Sequence, residues 1–120
     1  MQAHTSRQSA LAAVIRQEQR IFAAKLRTAR AVLGWSQTDL ANHVGMTQRA
    51  IHKLEQGETE PRRATILAMA EVWREQGLMF DDMPDGSFRL TVPVSVVEPN
   101  KRRQSGRDDV RPAPVLAYRA

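Results

Sequence analysis

Three glycines, Gly34, Gly45 and Gly57, divide the middle of this chain into stretches of ten and eleven residues, and that spacing limits what the segment can fold into more than any other feature. Each stretch opens on a residue whose side-chain oxygen can accept a bond from the free backbone N–H groups of a helix start. In the first it is Ser36, with Asp39 three residues on completing a capping-box pattern; in the second it is Thr47. Each leaves room for little more than two turns before the next glycine stops it. Leu40, Ala41 and Val44, and then Ile51 and Leu54, supply one inward face per helix.

The flanks extend the helical pattern and then break it. From Ser9 to Leu33 the apolar residues Leu11, Ile15, Phe22, Leu26, Ala29 and Leu33 recur at helical spacing, interrupted only by the polar run Arg16 to Arg20. This predicts one long helix or two, closed by Gly34. After the linker Glu58-Thr59-Glu60-Pro61, the residues Ile66, Leu67, Met69, Ala70 and Trp73 predict a fourth amphipathic helix ending near Gly77. Beyond Gly77 the period changes to two: Phe88, Leu90, Val92, Val94 and Val96 alternate with smaller or polar residues, with Asp85-Gly86 as the turn of a hairpin. Pro93 demotes the outer half of that second run to an edge or an irregular segment. From Glu98 onward, three of the six prolines and six basic residues against three acidic ones predict a disordered basic tail.

Composition narrows the class. Only 5% of the 120 residues are aromatic although 42% are hydrophobic, so the core must be built from Leu, Ile, Val, Met and Ala, which favours helices. Without cysteine there is no disulfide framework, thiolate zinc site or cysteine nucleophile. No run approaches the roughly 18 to 20 apolar residues of a bilayer span, and no secretion signal is recognisable, so a cytoplasmic location is expected. Eighteen Lys and Arg against thirteen Asp and Glu leave a net charge of +5, a balance that favours polyanionic partners.

Nothing points to catalysis: there is no phosphate loop and no set of nucleophile, base and orienting group. Asp81, Asp82 and Asp85 fall in a turn, where Asp is common for conformational reasons. His4, His43 and His52 do not stand at metal-ligand spacing. No enzyme activity, cofactor or metal is expected.

Two helices of about eight residues joined through Gly45 have the geometry of a helix-turn-helix, whose second helix enters the DNA major groove. The residues make this specific: Leu26-Arg27-x-x-Arg30 to Gly34, then Ser36-Gln37-x-x-Leu40-Ala41-x-x-Val44-Gly45-Met46-Thr47-Gln48-x-x-Ile51-x-x-Leu54-Glu55-x-Gly57, then Pro61 and Ile66-Leu67. Over residues 21–77 the sequence resembles the Cro/phage-repressor helix-turn-helix family, also called the XRE family, and especially the lambdoid phage repressors. The resemblance implies an all-α, compact four- to five-helix bundle that binds operator DNA, usually as a dimer on a palindrome. Around it the sequence predicts an N-terminal helical extension over 1–20, a short C-terminal β-hairpin over 78–97 and the basic tail over 98–120.

The resemblance also implies roles. Thr47, Gln48, Arg49 and Lys53 match groove-contacting positions, and His52 lies among them, where its protonation would make binding pH-dependent. Gln48 has the donors and acceptors to pair with adenine, and Arg49 with guanine. Ser36, Gln37, Arg62 and Arg63 are expected at phosphates, Gln37 by its match to the family glutamine at the start of the first motif helix. Arg30 and Glu55 match a structural ion pair between the first and third helices. Arg63 stands where the family is usually apolar, and Glu58 and Glu60 would repel nearby phosphates. Affinity per half-site is therefore expected to be modest, which puts weight on dimerisation or on the tail. The expected function is a DNA-binding transcriptional regulator, a repressor acting on double-stranded operator DNA as a homodimer. The alternative is an antitoxin or antiactivator that binds a protein partner, a toxin or an activator.

Overall fold

The computed structural model describes the backbone of residues 2–98 and the side chains from Arg7 to Glu98. In chain order it contains α1 (Gln2–Leu33), α2 (Gln37–Val44), α3 (Gln48–Glu55), α4 (Arg63–Gln76), β1 (Met79–Asp82), β2 (Phe88–Thr91) and a single turn, α5 (Val94–Val97). The fold is thus mostly helical, with one small hairpin. The basic tail expected over 98–120 lies, from residue 99 on, outside the described residues, as does the side chain of His4.

α1 is a single helix of 32 residues. The polar run Arg16 to Arg20 does not divide it because Arg, Gln and Glu are good helix formers, and the segment holds neither Gly nor Pro. α2 starts with the full capping box: Ser36 Oγ accepts from the Asp39 N–H at 3.0 Å, and Asp39 Oδ2 accepts from the Ser36 N–H at 2.8 Å. It ends at Gly45, whose φ of 71° is left-handed and whose N–H donates to the Ala41 carbonyl. Thr47 then caps α3, its Oγ1 accepting from the Ala50 N–H at 3.1 Å.

Leu26, Leu33, Leu40, Ile51 and Met69 are the largest fully buried side chains, drawn from all four long helices. On α4 the buried stripe is Met69, Val72 and Trp73, whereas Ile66 and Leu67 are 44% and 56% exposed, which corrects the expectation that both face inward. At 100° per residue Leu67 falls about 160° around the helix from Met69, so the two cannot share a face.

The hairpin pairs Met79 with Thr91 through Asp82 with Phe88, antiparallel. Its turn is longer than a two-residue Asp85-Gly86 connection. Gly86 N–H donates to the Met83 carbonyl at 3.0 Å, and Met83 N–H to the Ser87 carbonyl at 2.8 Å. Asp85 Oδ1 accepts from both the backbone N–H and the hydroxyl of Ser87, which holds the Asp85 carboxyl below its usual range. The second run does not continue as a strand: Pro93, with no N–H to give a ladder, becomes the cap of α5, which buries Val96 and leaves Val94 and Val97 exposed.

The hairpin's apolar face is covered from within the chain. Phe80 meets Trp73 of α4 edge to face at 6.4 Å and Phe88 at 5.6 Å, Leu90 and Val92 pack on the core, and Lys25 of α1 pairs with Asp82 at 2.7 Å. β2 ends at Thr91, so Val94 and Val96 belong to α5 and not to the sheet edge.

Candidate nucleic-acid interface

α3 has two sharply different sides. Ile51, Leu54 and Glu55 are buried, while Thr47, Gln48, Arg49, His52, Lys53 and Gln56 are exposed. At 100° per residue Gln48, His52, Gln56, Arg49 and Lys53 follow one another over an arc of about 140°. Gln56 lies in the middle of that arc and is missing from the sequence reading. The helical wheel of α3 alone would have found it had the helix been extended by one residue.

The buried side fixes the orientation of this face. Glu55 is 2% exposed, and its carboxylate is gripped by Arg30 of α1, Nε to Oε2 at 2.7 Å and Nη2 to Oε1 at 3.0 Å. Arg30 Nη1 also donates to the Trp35 carbonyl at 3.0 Å, and Arg27 Nη1 donates to the Glu55 carbonyl at 2.5 Å. Two arginines of α1 thus hold the C-terminal end of α3, where cations suit the helix dipole. Burial is the strongest influence on the Glu55 carboxyl and disfavours its charge. The hydrogen bonds from Arg30 and Gln37, with the charges of Arg30 and Arg27, outweigh it and hold the carboxyl below the ordinary glutamate range. The same carboxylate raises the pKa of Arg30 through its hydrogen bonds.

Gln37, at the start of α2 and half-buried, connects the motif's two helices. Its Nε2 donates to Glu55 Oε1 at 3.0 Å and stands 3.4 Å from His52 Nδ1, while its Oε1 accepts from Gln48 Nε2 at 2.5 Å. A bond to His52 Nδ1 requires the ring proton on Nε2. This network, spanning 11 to 18 residues of sequence, ties Gln48 and His52 to the buried ion pair. Trp35 stacks on His43 of α2 with centroids 4.0 Å apart, bracing the turn that leads into α2.

The structure therefore brings together Gln37, Gln48, His52, Glu55 and Arg30. Ser36 is spent on its cap, and Thr47 likewise lends its hydroxyl oxygen to the Ala50 N–H, though both stay exposed. Arg49 and Lys53 extend outward from the arc. Arg62 and Arg63 do not join the network. They sit exposed at the cap and first residue of α4, with no side-chain cap bond there. Among the described residues no group of His, Asp and Glu is placed to hold a metal ion, and no helix is long and apolar enough to cross a membrane.

Two short helices at this spacing, the second presenting a polar face on a buried apolar side, define a helix-turn-helix domain of the kind found in DNA-binding regulators. Comparison of the sequence with protein families agrees: residues 21–79, just under half of the chain, match a family model described as a helix-turn-helix domain. No curated protein and no solved structure matches the chain.

Proposed function

We propose that the protein is a transcriptional repressor that binds a palindromic operator as a homodimer, reading bases with Gln48, Arg49, His52 and Lys53 of α3 and with Thr47 at its cap. The observation that carries this reading is the exposed arc of α3 backed by a buried side. The contacts of Arg30, Glu55 and Gln37 hold the helix so that its polar residues project as a set. Gln48 presents an amide suited to adenine and Arg49 a guanidinium suited to guanine. Base-reading groups must be held in a fixed geometry to discriminate, and the network supplies that support.

Ser36 through its hydroxyl hydrogen, Gln37 through the amide hydrogen that faces His52 in the free protein, and Arg62 and Arg63 through their guanidinium groups take the phosphates. The first turn of α4 carries two arginines and no side-chain cap, a start that favours an anion over bulk water. Phosphate contacts of this kind set register and carry no sequence information. One eight-residue helix reads only a few base pairs, so two copies about 34 Å apart on one DNA face are the natural reading unit. A bound dimer covering a promoter blocks polymerase without a separate activating surface.

Selection of duplexes from a random pool by the full-length chain tests this. Enrichment of a palindrome with half-sites one helical turn apart is the expected result. Recovery of no preferred sequence, with binding that depends only on salt, would refute it.

A further inference from the structure

The face of α1 that buries Leu26, Ala29 and Leu33 continues toward the N-terminus at the same azimuth. At 100° per residue Leu11, Ile15, Glu18 and Phe22 all lie within about 40° of Ala29. The cover does not continue with it. Phe22 and Ile15 are half-buried, whereas Leu11 and Val14 are 62% and 53% exposed. Helices draw most of their stability in water from packing an apolar face, so a stripe left bare at the end of a long helix calls for a partner. Beside it lies an open groove of about 440 Å³ between α1, the start of α4 and the hairpin loop, floored by Ile15, Glu18, Gln19 and Phe22 and walled by Ile66 and Met83.

We propose that this groove receives α1 of a second copy of the chain, the two helices running antiparallel about a two-fold axis near Val14 and Ile15. The proposal rests on the homodimer reading and names the surface that forms the dimer. Ile15, Glu18, Gln19 and Phe22 stand at i, i+3, i+4 and i+7, the four corners of a hole that accepts one side chain from a facing helix. An axis that sets Val14 of one copy against Ile15 of the other also sets Leu11 against Glu18, so each Leu11 enters the other copy's hole. The contact is self-complementary and closes at two copies.

Charge favours the same occupant. Before Ile21, α1 carries Arg7, Arg16 and Arg20 against Glu18 alone among its described side chains, while Glu18 and Glu60 line the groove. The groove's other two charges, Lys25 and Asp82, are paired with each other. In the antiparallel arrangement Arg7 lies opposite the partner's Phe22, one turn from Glu18 and beside the wall that holds Glu60. The hairpin, by contrast, spends its apolar face on its own helices.

Sedimentation equilibrium of the full chain at micromolar concentrations, with circular dichroism to confirm folding, tests the surface. The wild type should be a dimer. Leu11→Asp, at an exposed position that leaves the fold intact, should raise the dissociation constant by about tenfold or more. Arg7→Glu and Glu18→Arg should each weaken pairing, and the double reversal should restore it. Residues 7 and 18 are about 16 Å apart along one helix, so restoration requires contact between copies. A monomeric wild type, an unaltered Leu11→Asp dimer, or a double reversal no better than either single change overturns the proposal. A wild-type dimer disrupted by Leu11→Asp that selects no DNA sequence contradicts the operator reading and leaves this surface standing; a monomer that selects a sequence overturns this surface and the homodimer and leaves base reading by α3 standing.

Discussion

Arg30 of α1 holds both carboxylate oxygens of Glu55 on α3, at 2.7 and 3.0 Å, and Glu55 is 2% exposed while the Arg30 side chain is 26% exposed. The pair is therefore asymmetric: removing the arginine strands a buried charge, whereas removing the glutamate leaves a cation with access to water. Arg30→Ala should cost about 3 to 5 kcal/mol of unfolding free energy, and Glu55→Ala less. Chemical denaturation of the two variants measures both. Equal losses under about 1 kcal/mol would show that the pair behaves as a surface contact.

The depressed pKa of Glu55 fixes the sign of a pH effect. An unfolded glutamate titrates near about 4.3, so a group held lower in the fold contributes stability that is complete above about pH 5 and lost as pH falls through the folded value. Glu55→Gln should lose part of the acid limb that the wild type shows. Parallel melting-temperature curves for the two proteins from neutral to acid pH would contradict the assignment.

Gly77 adopts a φ of 80°, and a methyl group there would come within 3.0 Å of Pro93 Cγ. Gly77→Ala should therefore destabilise by more than the roughly 1 to 2 kcal/mol of left-handed backbone alone, because the α4 terminus and the residue capping α5 cannot both keep their places. Gly45→Ala, where a methyl would meet nothing within 4 Å, should cost the backbone component only. Thermal unfolding of the two variants compares them directly, and an equal loss would remove the Pro93 contact from the account.

Arg62 and Arg63 are proposed as contacts to the sugar-phosphate backbone, so their effect should not depend on sequence. Arg62→Ala should weaken binding to every duplex alike and reduce the slope of log affinity against log salt by about one. Fluorescence anisotropy over a salt series gives that slope, and a change confined to one sequence would move Arg62 to the base-reading set.

Much of this was legible because it is local. The caps at Ser36 and Thr47 and the stop at Gly45 depend on residues within a turn of one another, and each formed as the sequence implied. The apolar pattern of α1, interrupted at Arg16 to Arg20, allows one helix or two, and helix propensity decides for one. The face of α4 was not legible: Ile66 lies within about 20° of Trp73 around the helix, and only packing against the other helices turns the buried stripe away from Ile66 toward Val72. The alternation through Val96 misled because it ignores hydrogen bonding, and Pro93 diverts the backbone into a helical turn. The bonds of Gln37 to Gln48, His52 and Glu55 lay beyond a reading of spacing, since they depend on where α2 sets one amide against α3.

Arg49 projects from the exposed arc of α3 on a helix held by a buried ion pair, so its substitution reports on whether that arc reads bases, as proposed. The decisive measurement is a titration of wild type and Arg49→Ala, at one salt concentration, against the duplex recovered by selection and against a random duplex of equal length. Loss of about 1 to 3 kcal/mol on the selected duplex with unchanged affinity for the random one is the predicted result. An equal loss on both would make Arg49 a phosphate contact and contradict the claim.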